Sequence, residues 1–177
     1  MNKLRPMLAL ATIILLAVIS GCGGGGGNNP LAELSGRWDG YLSGDETVTF
    51  PDGHSESYGH HEDWWSISKE IGNDYIHDLD LEDDSLGYSL QYHFDGTQLY
   101  IIETIPPQVV NWLPAVAEQD GCEDESCTFS GSESLYITFS SNSSGMVSSG
   151  TSQSRFITSI GTYQINHLIT SGTLVKQ

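Results

Sequence analysis

Short stretches of alternating apolar and polar residues, separated by turn residues, run through most of the sequence. The clearest is a predicted hairpin: residues 88–94 alternate large and polar side chains, Asp95-Gly96 supplies a tight turn, and residues 99–104 form the returning strand. Alternation with a period of two is typical of strands that bury one face. Behind the amino-terminal leader, apolar residues do not recur at helical spacing over ten or more positions. The pattern therefore predicts an all-β body.

The same signals predict about eight to ten short antiparallel strands joined mostly by hairpins. Further strands are predicted at residues 38–42, 47–50, 64–71, 75–81, 135–139, 155–160, 163–170 and 173–176. Closing such strands into an up-and-down β-barrel removes exposed sheet edges, and a two-sheet β-sandwich is the alternative.

Three local expectations accompany this prediction. Asp78 and Asp80 should lie on the solvent face of their strand. Pro106-Pro107 should end the strand that precedes it, because proline cannot donate to a β-ladder. Residues 109–116 should form either a short helix or an irregular crossing that places Trp112 on the core.

The first 21 residues have the features of a secretory signal. Lys3 and Arg5 give a positive start, and residues 7–19 are almost wholly apolar. This run is shorter than the roughly 20 residues that a helix needs to span a bilayer. Cleavage is therefore favoured over an uncleaved membrane anchor.

The leader closes with Ile19-Ser20-Gly21-Cys22, which resembles the lipobox of bacterial lipoproteins. The resemblance implies cleavage before Cys22, attachment of a diacylglyceryl group to its sulfur and, usually, acylation of the new amino terminus. Two or more acyl chains make a stable membrane anchor. In that family an aspartate after the cysteine often signals inner-membrane retention. Gly23 stands there instead, so we expect an outer-membrane lipoprotein that faces the periplasm or the cell surface.

Behind the cysteine we predict a tether and one domain. Residues 22–33 contain a run of glycines followed by Asn-Asn-Pro, a composition typical of a flexible linker. Residues 34–177 are enough for a single domain with a sizeable core, and too few for two.

The chain is strongly acidic, with 23 Asp and Glu against 6 Lys and Arg and a net charge of −17. Two of the basic residues, Lys3 and Arg5, belong to the leader. Such a surface repels nucleic acid and anionic headgroups and favours cationic partners or divalent cations. Solubility or a salty habitat explains the same charge without a partner.

Cys122 and Cys127 enclose Glu-Asp-Glu-Ser in a polar loop. Because an exported protein meets an oxidising compartment, we predict a local disulfide between them. The loop is short, so the bond would add about 2 to 3 kcal/mol at most. Zinc is disfavoured because a structural site takes four ligands and no histidine lies near the pair in sequence.

Gly36-Arg37-Trp38 begins the first predicted strand and resembles the Gly-x-Trp signature of lipocalins and their wider barrel superfamily. In that family the tryptophan closes one end of the barrel, and an arginine from a late strand packs over its ring. The resemblance implies these roles for Trp38 and Arg155. A cation over an indole face adds about 0.5 to 2 kcal/mol. Barrels of this size hold one small ligand or are filled by their own side chains.

Five aromatic residues could line a ligand cavity, although ordinary core packing explains them as well. They are Tyr88, Tyr92, Phe94, Tyr100 and Trp112.

Two groups of residues invite a metal prediction, and neither supports one. His54, His60, His61, Glu62 and Asp63 are ligand types that suit zinc or copper, but neighbours on a strand point to opposite faces. The acidic run over residues 78–84 lacks the glycine and the spacing of a calcium loop. We predict no metal site and no cofactor.

Catalysis has no support in the sequence, which contains no Gly-x-Ser-x-Gly, no His-Glu-x-x-His and no phosphate-binding glycine loop. We therefore predict no enzyme. The first functional hypothesis is an outer-membrane lipoprotein whose barrel binds a small apolar ligand. The second is an acidic interaction or inhibitor protein for a cationic protein partner, as the periplasmic inhibitors of lysozyme are for theirs. The third is a structural envelope protein without a ligand.

Overall fold

The computed structural model describes residues 30–112, 114 and 127–177. A 3-10 turn at Pro30–Leu34 is followed by β1 Gly36–Thr49, β2 Ser55–Ile71, β3 Ile76–Asp78, α1 Leu79–Asp83, β4 Ser89–Phe94, β5 Gln98–Val110, β6 Cys127–Ser141, β7 Ser144–Thr158 and β8 Gly161–Lys176. None of the helices described is long and apolar enough to cross a membrane. The leader, Cys22 and Cys122 lie outside the described residues.

The eight strands form one antiparallel sheet in the order β3-β2-β1-β8-β7-β6-β5-β4, and the sheet curls into an almost closed barrel. Most ladders join strands that follow one another along the chain, whereas the β1–β8 ladder joins the first strand to the last. Among the described residues no ladder links β3 to β4, and we call this gap the seam. The predicted all-β, lipocalin-like up-and-down barrel is confirmed, and the alternative β-sandwich is wrong.

Inward-facing side chains form two apolar clusters along the barrel. The first cluster contains Leu31, Leu34, Trp38, Leu42, Ile67, Ile71, Ile76, Leu99, Ile101, Leu135, Ile137, Phe139, Val147, Ile169 and Leu174. The second contains Leu86, Ile105, Val110, Cys127, Phe129, Phe156 and Tyr163. Trp38 is fully buried, donates from Nε1 to the Leu34 carbonyl at 2.7 Å, and packs edge-on against Phe139. The end of the barrel at Trp38 is thus filled by the chain's own side chains.

β1 is one long strand where the sequence predicts two, over residues 38–42 and 47–50. Where the turn residues suggested a break, the register of both ladders shifts, between Leu42 and Gly44 opposite β2 and between Ser43 and Gly44 opposite β8. Gly44 permits a close approach of β8, since a Cβ there would lie 2.2 Å from the Leu168 carbonyl oxygen. The glycine therefore bends the strand without ending it.

β5 continues through Pro106-Pro107 to Val110, so the expectation that these prolines end the strand is wrong. The register with β6 shifts between Ile105 and Gln108, which leaves both prolines out of the ladder. Proline is tolerated at such a bulge because no N–H is needed there. Trp112, expected on the core, is 42 % exposed, although its ring contacts Phe129 and Phe156.

The strand predicted over residues 75–81 is the short strand β3 followed by α1. Asp78 ends the strand and caps the helix, because its side chain accepts a hydrogen bond from the Leu81 N–H at 3.1 Å. This turn points the Asp78 carboxylate into the barrel, where it is buried, so its predicted solvent position is wrong. Asp80 is exposed, as expected.

Candidate functional site

Charged side chains occupy the middle of the barrel, between the two apolar clusters. On β5, the inward-facing Glu103 lies between Ile101 of the first cluster and Ile105 of the second. On β2, the inward-facing Lys69 follows the same alternation between Ile67 and Ile71. Because alternate residues of a barrel strand face inward, a charged residue at an inward position places its charge inside the barrel.

Lys69, Asp78, Glu103 and Glu133 form what we call the ionic cluster. The Lys69 ammonium donates to Asp78 Oδ2, lies 2.8 Å from Glu103 Oε1 and lies 3.6 Å from Glu133 Oε1. The side chains of Lys69, Asp78 and Glu103 are 3 to 6 % exposed, whereas that of Glu133 is 24 % exposed. The cluster links β2 and β3 to β5 and β6, and so bridges the seam.

The four groups of the ionic cluster differ in the direction in which their surroundings shift their pKa values. Burial lowers the pKa of Lys69, but the charges of Glu133, Glu103 and Asp78 outweigh it, so the net shift is upward and the ammonium stays charged. Burial raises the pKa of Asp78, but a hydrogen bond with Glu103 and the charge of Lys69 bring it below its ordinary value. Asp78 is therefore the carboxylate that balances the lysine.

Glu103 and Glu133 shift in the opposite direction. Burial raises the pKa of Glu103 to about 9, against the lowering effect of Lys69. Burial also raises the pKa of Glu133, again opposed by Lys69. At neutral pH Glu103 therefore holds a proton and donates it in a hydrogen bond to Asp78.

The ionic cluster has the ligand types of a cation site but already contains a cation. Asp78, Glu103 and Glu133 offer carboxylate oxygens within 4.8 Å of one another, a spacing that would suit a hard divalent ion. The Lys69 ammonium lies against all three carboxyl groups, so an ion would have to displace it. We conclude that the cluster balances its own charge and is not a metal centre.

A cavity of about 150 Å³ lies beside the ionic cluster, lined by Asp78, Glu103 and Glu133 together with Phe129 and Ser152. Its volume matches a few water molecules, or a small polar molecule, and not a lipid chain. Glu133 and Ser152 are register neighbours on β6 and β7 and form one wall of it.

A row of four rings that ends at a carboxylate lies on the wall formed by β1, β2 and β8. The ring centroids of Trp64 and His61 are 5.0 Å apart, those of His61 and Trp65 are 5.9 Å apart, and those of Trp65 and His167 are 4.3 Å apart. His167 Nε2 then lies 3.0 Å from Glu46 Oε2. We call these five residues the aromatic row.

A bulge in β2 makes the aromatic row possible. Asp63 has a φ of +49° and donates its backbone N–H to Ser43 Oγ at 2.9 Å. Opposite β1, the register steps from Leu42 with Trp65 to Gly44 with His61, so the extra residues of β2 loop outward. Both neighbouring tryptophans can then contact the His61 ring, which a regular strand would not allow.

The outer face of β1 and β2 carries an acidic groove of about 480 Å³, lined in part by Asp39, Asp80, Tyr41 and Ser68. Ser68 donates from Oγ to Asp39 Oδ1 at 2.6 Å and from its backbone N–H to Asp80 Oδ2 at 2.8 Å. Arg37 Nε donates to Asp39 at 2.9 Å. Burial raises the pKa of Asp80, and the N–H of Ser68 opposes that shift. The carboxylates that line this groove make it a place where a cationic group could bind.

The structure does not bring Trp38 and Arg155 together. Trp38 lies opposite Lys176 on β8, whereas Arg155 lies opposite Gln164 at the other end of the same strand. Arg155 is also exposed. The pairing that the lipocalin resemblance implied therefore does not form, and the contacts given above for Trp38 are with Leu34 and Phe139.

The predicted disulfide involves Cys122, which lies outside the described residues, and its expected partner Cys127 is a free thiol in the structure. Cys127 is buried in the second cluster, and its thiol donates to the Trp112 carbonyl oxygen at 3.3 Å. Burial raises the pKa of the Cys127 thiol. The lipid attachment at Cys22 likewise lies outside the described residues.

The predicted aromatic residues do not line one cavity. Phe94 is half-buried and packs against the first cluster, and Tyr88 is half-buried and packs against the second. Tyr100 lies outside the barrel, stacked on Tyr136 with 4.3 Å between ring centroids. Tyr92 and Trp112 are both partly exposed. Core packing, the alternative to a cavity, therefore accounts for Phe94 and Tyr88 and not for the other three aromatic residues.

The histidines and acids over residues 54–63 point to different places. His60 pairs with Asp45 at 3.2 Å, His54 pairs with Asp52, and His61 joins the aromatic row. Exposed Glu62 and Asp63 directly precede Trp64 in the sequence.

Sequence reasoning missed the ionic cluster, although a signal for it exists. Lys69, Glu103 and Glu133 each occupy the inward phase of an alternating strand, where Ile or Leu stands two residues away. Such a charge in the apolar phase needs a buried partner.

Comparison with protein-family models, with curated proteins and with solved structures found nothing that matches this chain.

Proposed function

We propose that the chain is a lipoprotein of the cell envelope, anchored through Cys22 to the outer membrane, whose barrel docks a cationic protein partner. The observation that carries the docking function is the sign of the exposed charge. Exposed acidic residues are Glu33, Asp52, Glu56, Glu62, Asp63, Asp74, Asp80, Glu82, Asp84 and Asp95, whereas the exposed basic residues in the described ranges are Arg37 and Arg155.

The buried charges add little to this imbalance. Lys69 and Asp78 neutralise each other inside the barrel, and Glu103 is protonated at neutral pH. The field around the molecule is therefore set by the exposed carboxylates. A field of one sign speeds encounters with an oppositely charged protein and fades with added salt.

A small apolar ligand inside the barrel is less well supported. Trp38, Leu99, Leu135 and Val147 are almost fully buried and occupy the first cluster, and the cavity beside the second is small and lined by carboxyl groups. An apolar molecule would lose its favourable transfer energy next to such groups. Mass spectrometry under native conditions tests this directly, since a co-purified lipid would contradict our preference.

The test of docking uses the full chain in detergent with two probe proteins of opposite charge, lysozyme as the basic probe and ovalbumin as the acidic one. At about 10 mM salt, where the Debye length is about 30 Å, we expect capture of lysozyme and not of ovalbumin. At about 1 M salt, where that length is about 3 Å, capture should be lost. Capture that ignores salt, or none at low salt, would refute the proposed function.

The anchor has its own test. Cys22→Ala should release the protein from the membrane fraction or stall its processing, whereas Cys127→Ala should leave both unchanged. Unchanged retention and unchanged size of the Cys22→Ala variant would refute lipid attachment.

A further inference from the structure

We propose that Trp64 is the anchor of the docking surface and that it stacks on an arginine side chain of the cationic partner. Trp64 is 66 % exposed, more than Trp112 at 42 %. A tryptophan this exposed leaves a large apolar surface in water, and a binding partner could cover that surface. The inference rests on the proposed function in assuming a cationic partner, and it adds the place and the chemistry of contact.

The aromatic row holds Trp64 in position from one side. His61 packs against it at 5.0 Å between centroids, and Trp65 packs against His61 and against the first apolar cluster. The bulge at Asp63, tied to Ser43, fixes the backbone that carries the ring. A ring supported in this way loses little conformational entropy when a partner binds, as is usual for the anchor of an interface.

The charges around the exposed ring select a cation. Glu62 and Asp63 are exposed and precede Trp64 directly in β2. Within the described ranges the exposed arginines lie elsewhere: Arg37 is ion-paired to Asp39, and Arg155 is on β7. A positively charged group over the Trp64 face would meet the negative face of the indole, and the carboxylates of the two preceding residues add to the attraction.

Arginine fits this surface better than lysine. A guanidinium group is flat, stacks on an aromatic face and donates hydrogen bonds from its edge, so one side chain can contact the indole and a carboxylate together. An ammonium group is a compact, strongly hydrated charge that gains less from the ring.

The experiment compares binding of octa-arginine and octa-lysine peptides to the full chain at low salt. We expect octa-arginine to bind more tightly, and Trp64→Ala to weaken its binding about 3- to 30-fold, the range of a cation–π contact. Trp64→Phe should retain much of the affinity. Because Trp64 is exposed, the variants should keep the wild-type unfolding midpoint, which is measured alongside.

Tyr41→Ala is the matched control. Tyr41 is an exposed aromatic residue at the acidic groove near Asp39 and Asp80, the competing location. If Tyr41→Ala weakens binding and Trp64→Ala does not, or if neither does, the assignment to Trp64 is overturned while the proposed function stands. If the wild-type chain binds neither peptide and no basic protein, the proposed function itself fails.

Discussion

The Lys69 ammonium donates a buried hydrogen bond to the Glu103 carboxyl group across the seam of the barrel, with 2.8 Å between Nζ and Oε1. They lie on β2 and β5, strands that share no ladder. Asp78 on β3 and Glu133 on β6 complete the contact. Where the described strands lack backbone hydrogen bonds between β3 and β4, side-chain charges hold the two edges of the sheet together.

Replacing Lys69 tests this closure. Lys69→Met should lower the free energy of unfolding at pH 7 by about 3 to 5 kcal/mol, because it leaves buried carboxyl groups without their cation. Arg155→Met, at an exposed site, should change it by less than about 0.5 kcal/mol. Urea unfolding followed by fluorescence measures both. If both substitutions changed the free energy of unfolding by the same small amount, the ionic cluster would not stabilise the barrel.

Glu103 should make the barrel less stable as the pH rises. Its pKa is about 9 in the folded chain against an ordinary value of 4.5, so folding favours the protonated form. The stability this provides is complete below pH 4.5 and is lost as the pH rises to 9. Asp78, whose pKa is lowered, acts only in the acid range, and Lys69 stays charged throughout.

Glu103→Gln isolates that effect, because glutamine keeps a donor for Asp78 but does not titrate. Between pH 5 and pH 9 the wild-type chain should lose more than about 1 kcal/mol relative to this variant. The measurement is urea unfolding at several pH values in one buffer system. Parallel curves for the two proteins would contradict the assigned proton.

Trp38 should stabilise the barrel through its hydrogen bond and its packing, and not through a contact with Arg155. Trp38→Phe removes the 2.7 Å bond to the Leu34 carbonyl and leaves space beside Phe139. We expect a loss of about 2 to 4 kcal/mol in the free energy of unfolding. Arg155→Ala should be nearly neutral, and a comparable loss there would restore the pairing that the lipocalin resemblance implied.

β8 lies so close to β1 at Gly40 that a side chain there should destabilise the barrel. A Cβ there would lie 1.7 Å from the Thr173 carbonyl oxygen, so one strand must move. Gly40→Ala should cost about 1 to 3 kcal/mol on thermal or urea unfolding. Gly87→Ala is the control, because its nearest neighbour would be 3.8 Å away, and it should change stability by less than about 0.5 kcal/mol.

Alternation and turn residues were enough to predict the barrel, because strands such as β4 and β5 carry their own period-two pattern and a tight turn joins them. The errors came where a local signal had two outcomes. Gly44 could end a strand or bend it, and Pro106-Pro107 could stop β5 or sit in a bulge. Asp78 could face solvent or cap a helix. In each case contacts between strands decided the outcome, and these are not local in sequence.

The candidate site was harder to predict for the same reason. The ionic cluster joins Lys69 to Glu103, 34 positions further along the chain, and the aromatic row joins β2 to β8. Single residues such as Lys69 or Trp64 carry a signal, since one is charged in an apolar phase and the other is apolar in an exposed strand. Their partners follow only from the register of a closed barrel.

The seam also marks where the chain could be cut and rejoined. The Gln177 amide donates to the Arg37 carbonyl at 3.0 Å, so the two ends of the barrel already meet. A circular permutant that links these ends and opens between α1 and β4 would run through the strands in their spatial order around the sheet, β4 to β8 and then β1 to β3. Every ladder would then join strands that are consecutive along the chain, the contact order would fall, and refolding should be faster than in the natural arrangement.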